Sequence, residues 1–204
     1  MSKLDEVLAH KREETANAKG RRSLAQLEEA LKTRPPVRGF REAIRRPGKL
    51  SLIAEIKRAS PSAGWIKEGA SAGDTARAYA EAGAQAISVL TDRKFFAGSI
   101  VDLVTVKGKV ELPVLRKDFL LEEYQVVEAA AAGADAVLLI VAALKPEELK
   151  RLLKLASDLS LDALVETHDE RELGEALEAG AQVVGINNRN LATLKVDLET
   201  TRRL

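Results

Sequence analysis

From residue 50 onward, short runs of consecutive apolar residues alternate with longer stretches whose apolar positions recur every three or four residues. The short runs predict strands over 50–56, 86–90, 113–116, 136–141, 162–166 and 183–187. The periodic stretches predict helices over 73–82, 99–108, 122–132, 146–158 and 169–179, with another starting near 198. Strands that are apolar on both faces and separated by helices imply a parallel sheet covered by helices. Ahead of this pattern, residues 2–33 read as helical and strongly charged. Leu4, Val7, Leu8, Leu24, Leu27 and Leu31 make a narrow apolar stripe. Gly20 is expected to break that segment in two, and Pro35 and Pro36 to end it. Phe40 to Ile44 predicts one short helical turn, closed by Pro47-Gly48. The basic residues of the segment are expected on a solvated helix face. The chain thus divides into an N-terminal helical extension, 1–49, and a main domain, 50–204.

A repeat refines the fold class. Ala82-Gly83-Ala84-Gln85-Ala86-Ile87-Ser88-Val89 returns as Ala132-Gly133-Ala134-Asp135-Ala136-Val137-Leu138-Leu139, and again as Ala179-Gly180-Ala181-Gln182-Val183-Val184-Gly185-Ile186. The glycines lie 50 and 47 residues apart, a period that holds two strand–helix units. Each is expected in the left-handed position that ends a helix, with a strand starting about three residues on. Paired units repeating at this length suggest an α/β fold of the (βα)8 TIM-barrel type, built by duplication. Only about six βα units are present, so the barrel is expected to be incomplete. Its two open strand edges would favour self-association. No dinucleotide or nucleoside-triphosphate signature occurs.

Composition narrows the classes of partner. Thirty-two basic residues against 31 acidic ones leave a formal charge of +1. That balance offers no footprint for nucleic acid or an anionic membrane surface. No apolar run reaches the roughly 18 residues of a membrane helix. The absence of cysteine excludes disulfides, thiolate metal sites and cysteine nucleophiles, and fits a cytoplasmic setting. With only His10 and His168 present, a histidine-rich metal centre is not expected.

The candidate chemistry sits at the strand ends. Glu55 and Lys57 are two residues apart in a strand and share a face. Buried charge is costly unless it is paired or used, so a structural ion pair and a catalytic site are both open readings of that pair. The pattern recurs, however: Lys117, Glu166 and Asn187 each follow an apolar run. One polar group alone reads as a solvated loop residue. Five at corresponding strand ends read as an acid–base site at the C-terminal mouth of a barrel, needing neither metal nor cofactor. Arg189 could clamp a carboxylate in bidentate fashion. Phe95, Phe96 and Phe119 read equally as core or as a wall for an aromatic substrate, and Ser60 and Ser62 as turn residues. His168 reads as a helix-start residue, and Asp118 as an ion-pair partner on the face opposite Lys117.

These stretches resemble the indole-3-glycerol phosphate synthase family of tryptophan biosynthesis. The resemblance rests on Ala54-Glu55-Ile56-Lys57-Arg58-Ala59-Ser60-Pro61-Ser62, Val89-Leu90-Thr91-Asp92, Phe96-Ala97-Gly98-Ser99 and Leu115-Arg116-Lys117-Asp118-Phe119. Leu138-Leu139-Ile140-Val141, Leu164-Val165-Glu166 and Gly185-Ile186-Asn187-Asn188-Arg189-Asn190-Leu191 complete it. It implies a cofactor-free lyase. Its phosphorylated small-molecule substrate would be 1-(2-carboxyphenylamino)-1-deoxyribulose 5-phosphate, closed to a ring with decarboxylation and dehydration. By the same resemblance Lys117 is the general acid, Glu166 the general base, Glu55 its assistant, and Lys57 a substrate ligand that shares acid work. Asn187 and Arg189 position the substrate, Phe96 and Phe119 flank its ring, and Ser60 contacts the phosphate. The family's seventh strand, ending in Glu-Ser-Gly, and its eighth, with a Gly-Ser or Gly-Thr phosphate loop, have no counterpart here, which implies truncation and impaired activity. Two other readings stay open. One is a non-catalytic barrel fragment that needs a complementing chain. The other is a different phosphate-binding barrel such as phosphoribosylanthranilate isomerase, against which the missing cysteine weighs.

Overall fold

The computed structural model describes residues 3–191 and 195–204. Six strands lie side by side in chain order, every neighbouring pair parallel. They are β1 (Ile53–Ile56), β2 (Ala86–Leu90), β3 (Val114–Lys117), β4 (Ala136–Ile140), β5 (Asp162–Thr167) and β6 (Val183–Ile186). The sheet curls as an open barrel with six of the eight strands that close a TIM barrel. β2 and β4 are buried along their whole length. β6, at one edge, is only half-buried throughout. β1, at the other edge, starts at Ile53 rather than residue 50, because Leu50 and Leu52 face solvent.

Ten α-helices and one 3-10 turn (Val141–Ala143) are present among the described residues. Three precede the sheet: α1 (Lys3–Arg21), α2 (Leu24–Leu31) and α3 (Phe40–Ile44). The others are α4 (Ala72–Glu81), α5 (Arg93–Phe96), α6 (Ile100–Lys107), α7 (Glu123–Ala131), α8 (Pro146–Asp158), α9 (Glu170–Glu178) and α10 (Glu199–Arg203). Gly20 does not break α1, which runs through it to Arg21. A glycine inside a helix costs only about 1 kcal/mol. The break falls instead where Ser23 starts α2 with a capping box, its side chain and that of Gln26 each accepting from the other's backbone N–H. The repeated helix-to-strand turn is as expected, with Gly83, Gly133 and Gly180 at φ 87°, 86° and 89°.

Two cores result. The larger lies between sheet and helices, with Ile87, Val89, Val137, Leu139 and Val165 on the sheet side and Leu103, Leu149 and Leu152 on the helix side. The smaller lies inside the curl, where Phe40 of α3 packs on Ala86, Leu115 and Ala136. Phe40 is fully buried and plugs the end of the barrel away from the strand C-termini. Two strand-leading aspartates fix this plug. Asp135 accepts from the Arg38 backbone N–H at 2.6 Å, and Asp162 from that of Arg41 at 2.8 Å.

The opposite end is strapped by α1. Lys11 is not on a solvated face; its side chain is 2% exposed. Its ammonium sits 2.8 Å from Asp92 and 2.7 Å from Asp118, and it also pairs with Glu14. Asp118 points away from the barrel interior, as expected for the neighbour of Lys117. It also accepts from Thr91 Oγ1 at 2.7 Å and pairs with Arg116 at 3.2 Å.

Candidate active site

The pleat gathers the polar strand-end residues on the inner face. Pairing partners in a parallel sheet face the same side, and the register aligns Glu55 with Ser88, Leu90 with Lys117, and Ile140 with Glu166. Asn187 continues β6 by donating its backbone N–H to Thr167 O at 2.9 Å.

Glu55 is the centre of the first group. One of its oxygens is 2.6 Å from Lys57 Nζ and the other 3.0 Å from Lys117 Nζ. Burial pushes its carboxyl upward, but Lys117 and Lys57 outweigh burial and hold it below the usual range. Two lysines that neighbour each other across three strands are thus bound by one carboxylate.

Glu166 is the centre of the second. It is more deeply buried, 11% exposed, and accepts from Asn187 Nδ2 at 2.9 Å. Burial again raises its carboxyl, and the His168 and Asn187 side chains together with the Lys117 charge bring it below the ordinary value. Asn187 is held in turn, its Oδ1 accepting the Arg189 backbone N–H at 2.9 Å. His168 is therefore more than a residue before a helix. It lies beside Glu166, while Asp169 caps α9 by accepting from Glu172 N. The only signal for this in the sequence was spacing, since His168 lies two residues beyond Glu166 and just past the end of β5 at Thr167.

Next to these groups is a cavity of about 170 Å³, lined by Lys57, Ser60, Phe96, Phe119 and Arg189. Leu4 and Val7 of α1 also line it, a contribution that periodicity alone did not reveal. Phe95 is elsewhere, edge-on to His10 with centroids 5.7 Å apart. Ser60 Oγ accepts from Ala63 N at 3.1 Å, as a turn residue does, while its side chain faces the cavity. The loop carrying Ser60 is tied down by Arg58, whose guanidinium grips both oxygens of Asp102 at 2.7 Å. A second cavity of about 470 Å³ adjoins, with His168, Asn187 and Leu4 among its walls.

Acid–base groups at strand C-termini beside an aromatic-walled cavity have a counterpart among known proteins. The family model of indole-3-glycerol phosphate synthase matches residues 4–204. The chain belongs to the indole-3-glycerol phosphate synthase family. A synthase of that name from Chlorobium luteolum is 50% identical over 205 residues, covering 100% of this chain and 78% of the relative. The Bordetella pertussis synthase is 48% identical over 97% of this chain and 77% of its own length. That of Chlorobium phaeovibrioides is 47% identical over 100% of this chain and 80% of its own. A crystal structure of a Sinorhizobium meliloti protein in an open-loop conformation superposes with a TM-score of 0.51. It covers 68% of this chain and 35% of that one at 12% identity, which speaks to the fold alone. Membership makes this a lyase family of tryptophan biosynthesis acting on a phosphorylated small molecule. No helix of the described residues is long and apolar enough to cross a membrane.

Proposed function

We propose that the chain carries the proton-transfer machinery of the synthase reaction on 1-(2-carboxyphenylamino)-1-deoxyribulose 5-phosphate. The observation that supports this best is Glu55 bound to both Lys57 and Lys117 at the barrel mouth, next to Glu166. In this reading the substrate's benzoate ring lies between Phe96 and Phe119, and Arg189 and Asn187 orient it. Ser60 faces the phosphate. Lys117 donates a proton to the substrate carbonyl oxygen as the ring carbon bearing the carboxylate attacks the carbonyl carbon. Loss of CO2 restores the aromatic ring. The resulting hydroxyl leaves as water with a proton from the lysine pair, and Glu166 takes the proton from the adjacent carbon. Glu55 holds both lysines in place. No cofactor enters the scheme, and its setting is the cytoplasm.

Turnover is followed by the fluorescence of the indole product, with Lys117→Ala run beside the unaltered chain. Turnover that vanishes in the variant supports the assignment; equal turnover in both overturns it. A second reading is favoured by the open sheet edges at β1 and β6. Here the chain works only when another chain, or a second copy, lies along those edges and completes the barrel. Activity that emerges only on mixing with a separately made two-unit barrel piece, or that rises with the square of chain concentration, selects it.

A further inference from the structure

His168 stands on the inner face beside Glu166 and is largely buried, its side chain 12% exposed. Its two ring nitrogens meet different carboxylates. Nδ1 is 2.9 Å from Glu172 Oε2, an oxygen that also accepts the His168 backbone N–H at 2.9 Å. Glu172 is itself 5% exposed and fixed on the first turn of α9, where its N–H is capped by Asp169. Nε2, sealed from solvent without a hydrogen bond, faces Glu166 Oε1 at 3.4 Å. Because the two carboxylates occupy opposite edges of the ring, they cannot share a metal ion. They can share a proton-bearing imidazolium. Around it stand Glu166 on β5, Glu172 and Asp169 at the start of α9, and Lys195, Asp197 and Arg203 across the adjoining cavity.

We propose that His168 is a positioning residue for Glu166: held through Nδ1 by Glu172, its Nε2–H fixes Oε1 of Glu166 and leaves Oε2 to act on substrate. The role as base rests on the function proposed above, but the coupling between His168 and Glu166 does not. Asn187 donates to the same Oε1 at 2.9 Å, so both fixed contacts fall on one oxygen. The unspent N–H of His168 is the donor available to shorten onto Glu166 once substrate is bound, as apo hydrogen bonds at catalytic groups commonly do. The ring's raised affinity for its proton, to about 9, follows from the same contacts, Glu166 and Glu172 outweighing burial.

The chain's two histidines make the test direct. Protein labelled with carbon-13 histidine is titrated by NMR as the unaltered chain, Glu166→Gln and Glu172→Gln. The His168 ring is expected to titrate near 9 in the unaltered chain. It is expected to fall by about 1 unit or more in each variant, the worth of a lost opposite charge. A midpoint near the ordinary histidine value, or one that Glu166→Gln leaves unmoved, overturns the proposal. In assays of turnover, His168→Gln is expected to lower kcat about tenfold, equivalent to about one pKa unit of lost pairing, with KM within about twofold. The acid limb of its pH profile moves to higher pH, since Glu166 loses a cationic neighbour. An unmoved acid limb also counts against the proposal. If no form of the chain turns over by itself, the reading of the lone chain as active fails, while the titration still decides the role of His168.

Discussion

The ammonium of Lys11, on the first helix, lies 2.7 Å from Asp118, the residue beside the candidate acid Lys117. Both side chains are 2% exposed, and Asp92 completes the cluster at 2.8 Å. Removing one member of a buried ion pair strands the rest, typically at about 3–5 kcal/mol. Lys11→Met is therefore expected to lower unfolding free energy by that order, and adding Asp118→Asn to recover part of it. Urea unfolding followed by circular dichroism measures both. The single tryptophan, Trp65, is 58% exposed on the short antiparallel hairpin after β1 and is a poor reporter.

Alkaline pH is expected to loosen the site region through His168. Its folded-state pKa of about 9 lies above the unfolded reference of 6.5. The folded state thus holds this proton more tightly. The stabilisation is complete below about 6.5 and is lost as pH rises through about 9. The urea midpoint should fall across that window, and the fall should shrink in His168→Gln. Equal slopes in both proteins would show that another group governs alkaline stability.

Gly83 and Gly133 share a left-handed backbone but not their surroundings. A Cβ at Gly83 meets nothing within 4 Å, whereas one at Gly133 meets Lys107 at 3.3 Å and Pro35 at 3.5 Å. Gly83→Ala should cost only the backbone term, about 1–2 kcal/mol. Gly133→Ala should cost more, because Lys107 is held by Asp135 at 2.6 Å and cannot swing aside freely. Chemical denaturation of the two variants compares them, and equal costs would show that the neighbours yield.

Phe40→Ala empties the plug inside the curl. A fully buried phenylalanine lost to alanine costs about 3–5 kcal/mol. The strand-end ion pairs around Glu55 lie at the far end, so the loss is expected in stability rather than in lysine geometry. Thermal unfolding and the reactivity of Lys57 and Lys117 toward an acylating reagent separate the two effects.

The strands were legible because their signal is simple: both faces of β2 and β4 are buried, so the runs are apolar but for the buried Ser88. The helix-ending glycines were legible because a positive φ selects them. Glu55, Lys57, Lys117, Glu166 and Asn187 could be placed at strand ends by counting. Of their pairings only Glu55–Lys57 was open to reading, from two residues on one strand face; that Lys117 reaches Glu55 was not, since a strand carries no information about which neighbour a long lysine reaches. Lys11 escaped for the opposite reason. On a charged helix nothing distinguishes the one lysine whose partners arrive from residues 92 and 118. Short α5 (Arg93–Phe96) was also unreadable, since four residues show no period and its start depends on Asp92 accepting from Phe95 N at 2.7 Å.

The anchoring of the residues before the sheet bears on how the chain comes off the ribosome. Arg38 and Arg41 dock on aspartates 97 and 121 residues downstream, and Arg34 donates to Leu159 O, 125 residues away. The stretch from Arg34 to Arg41 therefore lacks these anchors until β4 and β5 have emerged. Until then Phe40 lacks Ala136, one of the three buried residues it packs on.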